Sequence, residues 1–292
     1  MSAARTMAAL PAEVPLQGAA RRPLEATNRQ FVASVTRSAD GLEALEKDWR
    51  ELEEGNATPC LFQSYDWCHN YLRHAVDSQQ RLRIRILGVR QESRLVALLP
   101  LCVQTNKAVN VVTGLTEPFQ QYTEMLLAPG MEARPMLDLM LQALRGTDAD
   151  YLHFGQVRAD SHLQKALDGL VSASGEEDAA PYVPIGDYAD FNAFHKTVNA
   201  KTRKNMRNAR NRLERDAPVS HRVSLGGEAL AEVIDRSFEG REAWLERQGL
   251  TSRAFRDKSF GTFLDRFKHP ERTGIGTVAF CLRHGDRVVA DQ

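Results

Sequence analysis

The sequence predicts a mixed α/β chain of two lobes, the second incomplete at its C-terminus. Three observations predict it. First, a pattern repeats: a helical stretch, the segment RLRIRILGV, the polar turn QESR and LVALLPLCV near residues 81–103 return as a helical stretch, GTVAFCLR, HGDR and VVADQ. The second copy ends at Gln292, short of any counterpart to the segment after Val103, and reads as an unfinished repeat. Second, strand and helix patterns alternate in both halves, and each half carries an antiparallel hairpin, so the sheets are not purely parallel. Third, ASGEEDAAP (Ala173–Pro181) is small and polar and reads as the link between halves. The expected organisation is a tail over 1–30, a first lobe over 31–180 and a second over 181–292.

The tail holds Pro11, Pro15, Pro23 and Arg21–Arg22 with little periodicity, and is expected to lack structure. Phe31–Thr36 alternates as a first strand. In Gly41–Glu54, Leu42, Leu45, Trp49 and Leu52 recur at helical spacing, with Asp40 as cap and Gly55 as stop. Asn56–Gln63 is a loop around Pro59. Ser64 caps a helix that turns Trp67, Tyr71 and Leu72 inward. After the Leu82–Val103 hairpin come strands at Val109–Val112 and Tyr122–Leu127, a helix at Met136–Leu144 and a strand at Tyr151–Phe154. A helix comes next at Ser161–Ser172, with Ser161 as its cap. The second half opens on a long helix, Asp190–Arg215, then helices at Glu228–Gln248 and Ser252–Phe267 and the final hairpin.

Composition narrows the function classes. Across 292 residues the 38 basic and 38 acidic side chains cancel, so any preference for nucleic acid or an anionic membrane must be local. Cys60, Cys68, Cys102 and Cys281 form no CxxC pair and read as free thiols of a reducing cytosol. No apolar run reaches the roughly 18 residues of a membrane helix, and no signal-peptide pattern opens the chain. A cytoplasmic protein is expected. HExxH, GxSxG, Walker and dinucleotide motifs are absent, which removes support for metallohydrolase, serine hydrolase, nucleotide hydrolase and dehydrogenase readings.

Five phrases occur in an informative order: NATPCLFQSYDW (56–67), QQYTEMLLAPG (120–130), NAKTRKNMRNARNRLER (199–215), FEGREAWLERQG (238–249) and LRHGDRVVADQ (282–292). Over residues 40–292 the chain resembles the bacterial GNAT-type acyltransferases of the CelD/BcsL kind, linked to cellulose and exopolysaccharide production and related to FemAB-type transferases. The resemblance implies tandem GNAT-like lobes and transfer of an acyl group from acetyl-CoA or another acyl-CoA to an amine or hydroxyl, without metal. It also implies a pyrophosphate seated on backbone N–H groups at a helix start, behind a glycine-rich turn. The first-lobe turn, APGMEARPM (Ala128–Met136), departs from that pattern. It has one glycine, Gly130, then the anionic Glu132 and Pro135, which lacks an N–H. The second-lobe turn would lie beyond Gln292, and the cofactor loop is expected there.

The candidate residues each carry a bland alternative. Lys196–Arg215 concentrates Lys196, Lys201, Arg203, Lys204, Arg207, Arg210, Arg212 and Arg215 around a stripe of Val198, Thr202, Met206, Ala209 and Leu213 that should dock the helix on a core. The cations are either a solvated surface or a platform for an anionic partner, with Arg203 and Arg207 as binding candidates. Arg241 and Trp244 either pack at a helix edge or hold a saccharide or other small acceptor. Phe62, Gln63, Ser64 and Trp67 are core anchors and a cap, or an acceptor groove. A general base must sit at the attacking group with a matched pKa; Glu124, His153 and Asp291 are the candidates. Two further readings stay open: a non-catalytic assembly module in polysaccharide production, and aminoacyl transfer from tRNA, although nucleic acid is not the expected partner.

Overall fold

The computed structural model describes residues 9–15, 30–56, 60–106, 108–145, 148–171 and 179–292. Residues 57–59 of the Asn56–Gln63 loop, most of the Ala173–Pro181 link, and residues 1–8 and 16–29 of the tail lie outside the described residues. The chain divides into two compact units, with the boundary at the Ala180–Pro181 bond.

The first unit is a mixed α/β layer. Its elements are β1 (Ala9–Pro15), β2 (Phe31–Thr36), α1 (Ala39–Glu43), α2 (Glu46–Gly55), α3 (Tyr65–Asp77), β3 (Arg83–Gln91), β4 (Arg94–Asn106), β5 (Val109–Gly114), β6 (Leu126–Leu127), α4 (Ala133–Leu144), β7 (Tyr151–Arg158) and α5 (His162–Leu167). The strands form one sheet in the order β1-β7-β5-β4-β3-β2, with β6 on β4. The β5–β7 pair is parallel and the others antiparallel. The long apolar hairpin β3–β4 is the spine of the core: Leu87, Leu98, Leu99 and Leu101 are fully buried and cluster with Trp49 of α2 and Leu137 of α4. Burying one such side chain stabilises the unit by about 1.5–3 kcal/mol.

Proline in a central strand normally costs a ladder hydrogen bond, yet Pro100 lies in mid-β4, opposite Ile86. Its carbonyl accepts from Leu115 N at 3.1 Å, so the ring nitrogen points away from β3, toward the β5–β6 side. On that side β6 pairs with Ala97 and Leu98, and β5 takes over at Leu101. Pro100 therefore occupies the seam between two partners, where no donor is required.

Several expectations need correction. Ala9–Pro15, expected as tail, is the edge strand β1; an edge tolerates its prolines, and the register shift falls between Leu10 and Ala12, at Pro11. The Gly41–Glu54 helix is two helices, and Ser38 rather than Asp40 caps the first, accepting from Gly41 N at 3.1 Å. The strand expected at Tyr122–Leu127 pairs only at Leu126–Leu127, while the Thr123 and Glu124 side chains bond to the Gly155 carbonyl and to the start of α5. The Ser161–Ser172 helix stops at Leu167, just before Gly169 at φ +70°. Both serine caps are as expected: Ser64 accepts from Trp67 N and Ser161 from Gln164 N.

The second unit comprises α6 (Phe191–Thr197), α7 (Ala200–Asp216), β8 (Val219–Ser224), α8 (Gly227–Gln248), α9 (Arg253–Arg256), α10 (Phe260–Asp265), α11 (Pro270–Thr273), β9 (Ala279–His284) and β10 (Arg287–Asp291). The strands form an antiparallel sheet, β10-β9-β8. Its core is small: Leu230 and Val233 of α8 pack on Ala279 and Cys281 of β9, with Ile234 and Val288 alongside. The sequence reading missed β8 because VSHRVS buries only Ser224, so no apolar alternation marks it. The single helix Asp190–Arg215 breaks at Val198–Asn199. Asp190 caps α6 through Ala193 N, and Asn199 caps α7 through Lys201 N. Ser252–Phe267 breaks where Asp257 accepts from both the amide and the hydroxyl of Ser259. The expected docking of the α7 stripe does not occur: no residue of α7 is buried, and Met206 and Leu213 are 55% and 40% exposed.

Candidate functional site

Most of the candidate residues already have structural partners. Glu124 is buried, and its carboxylate collects three backbone N–H groups: Met125 at 2.7 Å, Leu163 at 2.9 Å and His162 at 3.2 Å. The last two open α5, so the side chain closes a helix start that lies 38 residues away in sequence. Burial pushes this carboxyl above its usual range, and the N–H donors pull it back only in part. With its oxygens so engaged, Glu124 is a poor fit to a mobile base. His153 lies on β7 and is half-buried.

Beside Glu124 runs a continuous buried relay. Trp67 Nε1 donates to Thr116 Oγ1 at 3.1 Å, Thr116 to Gln120 Oε1 at 3.1 Å, Gln120 Nε2 to Thr123 Oγ1 at 2.9 Å and Thr123 to the Gly155 carbonyl at 2.8 Å. Gly114 is required next to it, since a Cβ there would lie 2.0 Å from Gln120 Nε2. Trp67 is thus an anchor of a closed polar core. Phe62 meets Trp67 edge-on at 5.2 Å, and Gln63 donates to the Tyr122 carbonyl at 2.9 Å. The groove reading of this segment gains no opening.

Asp291, at the end of β10, is held by Arg236 of α8, with Nε 2.7 Å from the carboxylate. The carboxylate is therefore already engaged by a cation. Cys281, opposite it in register, is buried; burial first and then the Asp291 carboxylate push its thiol upward. Glu124 and Asp291 lie in different units.

Arg241 and Trp244 do come together: the guanidinium lies 4.3 Å from the ring centroid, on an exposed edge of α8. The sequence spacing of three anticipates that contact. Arg203 has another task. Its Nη1 donates to the carbonyls of Val198 at 2.7 Å and Lys196 at 2.8 Å, closing the C-terminus of α6. Arg207 is exposed on α7.

The second unit contains a cleft of about 440 Å³ between α8 and the α9–α10 segment. Asp235, Phe238 and Glu242 line it from one face of α8; Phe255, Asp257, Lys258 and Asp265 line the other wall. Phe238 and Phe255 stack at 5.0 Å and 15°, giving the cleft an aromatic floor. Lys268 bridges Asp235 at 2.5 Å and Asp265 at 2.7 Å, so two of the carboxylates share one cation. The sequence reading marked the 238–249 phrase, which includes Phe238 and Glu242, but gave these cleft residues no role. Asp235, Phe238 and Glu242 recur at i, i+3 and i+7, a signal indistinguishable from an ordinary helix stripe.

The acyl-CoA expectation can be tested at the Ala128–Met136 turn. Gly130 has φ +80° and the turn opens α4, beside a cavity of about 530 Å³ that Arg134, His162 and Lys165 also line. Glu132 stands at the cap position without a capping hydrogen bond, Pro135 removes an N–H from the first turn, and Arg134 is committed to Asp138 and the Asp168 carbonyl. A carboxylate where phosphate should sit, with a depleted row of donors, does not fit a pyrophosphate. Among the described residues no group of His, Cys, Asp and Glu could hold a metal ion, and no helix is long and apolar enough to cross a membrane.

With this geometry in place, comparison with known proteins identifies one domain. The family model for the GNAT acetyltransferase domain matches residues 200–291. That span covers α7 through β10 and includes the α8 cleft. No curated relative matches the chain. Among solved structures, the chain is similar to the C-terminal DUF2156 domain of an Agrobacterium fabrum protein assigned as a lysylphosphatidylglycerol synthetase. The identity is 10% and the TM-score 0.31, over 52% of this chain and 48% of that one. The chain therefore spans about half the length of that structure. A GNAT domain points to acyl transfer, and GNAT domains generally use acyl-CoA.

Proposed function

We propose that the protein transfers an acyl group from an acyl-CoA to an amine or hydroxyl acceptor, and that the second unit holds the acceptor in the cleft along α8. The GNAT match over residues 200–291 is the observation that carries this reading. The cleft adds chemistry to it. Phe238 and Phe255 offer a flat apolar floor, while Glu242 and Asp257 can accept hydrogen bonds from an ammonium or from sugar hydroxyls. Arg241 and Trp244, which do not line the cleft, would form a second acceptor contact on the neighbouring face of α8. No step is assigned to the donor, because the turn that would seat it in the first unit does not fit. A saccharide acceptor, and a place in cellulose or exopolysaccharide production, rest on the five phrases shared with the CelD/BcsL-type enzymes.

The test is release of free CoA thiol by the whole chain, with acetyl-CoA and a panel of amines, amino sugars and hydroxylated sugars, alongside calorimetry with acetyl-CoA. Phe238→Ala and Glu242→Ala are expected to raise KM for the acceptor at least about tenfold with kcat less affected. Absence of both thiol release and binding heat would refute the reading. A second reading, a non-catalytic assembly module, is favoured by one observation: Glu124 is closed by three N–H donors and Asp291 by Arg236, so both proposed bases already have tasks.

A further inference from the structure

We propose that α7 is a docking surface for an anionic phospholipid bilayer. The observations are local to one helix. Ala200–Asp216 carries seven cations, Lys201, Arg203, Lys204, Arg207, Arg210, Arg212 and Arg215, against Glu214 and Asp216. The whole chain has no net charge, so this concentration is not the residue of a basic protein. The helix buries none of its residues, and its apolar stripe is left in water, with Met206 55% and Leu213 40% exposed. Water-exposed apolar side chains in line along a helix are unfavourable unless something covers them.

At about 100° per residue, Thr202, Met206, Ala209 and Leu213 fall within one narrow sector of α7. Lys201 and Arg212 border that sector on one side, Arg210 and Arg203 on the other. Asn205 borders the stripe beside Arg212, while Asn208 and Asn211, which with Asn205, Arg212 and Arg215 line a shallow polar depression, project away from it. A bilayer surface meets all of this at once. The stripe enters the boundary between headgroups and acyl chains, Lys201 and Arg212 reach lipid phosphates, and Asn208 and Asn211 stay in water. The preceding helix α6 supplies a suitable interfacial aromatic, since Phe191 is 68% exposed and stacks on His195 at 5.5 Å. A nucleic acid would engage the cations and leave the stripe exposed, so it accounts for less of the surface. Because no described helix can cross a membrane, the contact would lie on the bilayer and not through it.

The test is co-sedimentation of the whole chain with vesicles of phosphatidylcholine alone and with about one part in three of phosphatidylglycerol. Binding is expected to the anionic vesicles only. Lys201→Gln with Arg212→Gln should weaken it about 25-fold, roughly fivefold per lost cation. Met206→Gln with Leu213→Gln should weaken it at least about tenfold, because the stripe itself inserts. All four side chains are exposed, so the variants should keep the wild-type circular dichroism and melting midpoint. No binding to anionic vesicles, or equal binding to neutral ones, overturns the proposal. So does full binding by the stripe variant together with equal capture of a single-stranded RNA oligonucleotide, which would make α7 a general polyanion surface.

Discussion

Replacing Glu124 by alanine separates a structural carboxylate from a catalytic one. The side chain accepts from the amides of Met125, His162 and Leu163 and is itself buried. Truncation leaves those donors without an acceptor, at about 1–3 kcal/mol for each one shut off from water. A water molecule entering the hole can satisfy one of them, which brings the expected loss to about 4 kcal/mol. In a unit the size of residues 6–180 this lowers the melting midpoint by about 8–16 °C. Glutamine keeps one acceptor oxygen but turns an NH2 group toward the remaining donors, so Glu124→Gln should recover about half of the loss. Calorimetry on the whole chain, tracking the first unit's transition, measures both. If Glu124→Ala melts within about 2 °C of wild type while acyl transfer disappears, the carboxylate is a base and not the closure of a helix start.

Three other outcomes are expected. Gly114→Ala drives a methyl into the Gln120 amide and breaks its bonds to Thr116 and Thr123; the urea midpoint should fall by an amount worth about 2–4 kcal/mol with an unchanged slope. Hydrogen bonds first from Arg85 and then from Arg83 hold the Asp148 carboxyl down to about 2, against 3.8 unperturbed. A folded value below the unfolded one gives stability that is present above pH 3.8 and lost as pH falls toward about 2. An acid titration of unfolding should show that loss in wild type and not in Asp148→Asn. Arg203→Ala removes the donor that closes α6, and amide exchange across Phe191–Thr197 should accelerate about fivefold, a cost of about 1 kcal/mol.

Where the sequence was legible, a single local signal matched a single local cause. The alternation and length of Leu82–Val103 mark a buried hairpin, and Ser64 and Ser161 stand where a helix start needs an acceptor. The misses arise where the deciding partner is distant. Glu124 reads as a strand residue because the helix that claims it begins 38 residues later. Arg203 reads as a free cation because three carbonyls of the preceding helix are invisible until α6 and α7 break apart at Asn199. The stripe on α7 has the same period whether or not a core lies under it, so periodicity could not reveal that the face stays exposed. The α8 cleft needs Phe255 and Asp265 to fold back on Phe238 and Asp235, a juxtaposition that no spacing within one helix encodes.

The seam at Pro100 also acts on wrong folds. A hairpin joined by a short turn closes early, in microseconds, well before distant strands arrive. If β5 and β6 then added to β4 two residues out of register, the ring would lie under the β5 ladder or in the β6 pair, and a donor would be missing wherever it landed. A slide by one residue would turn Leu98 and its neighbours to the opposite face. The proline thus penalises misregistered addition of β5 and β6 to the hairpin. Replacing it with a residue that restores the N–H should leave the native state little changed while increasing the fraction of chains that aggregate during refolding.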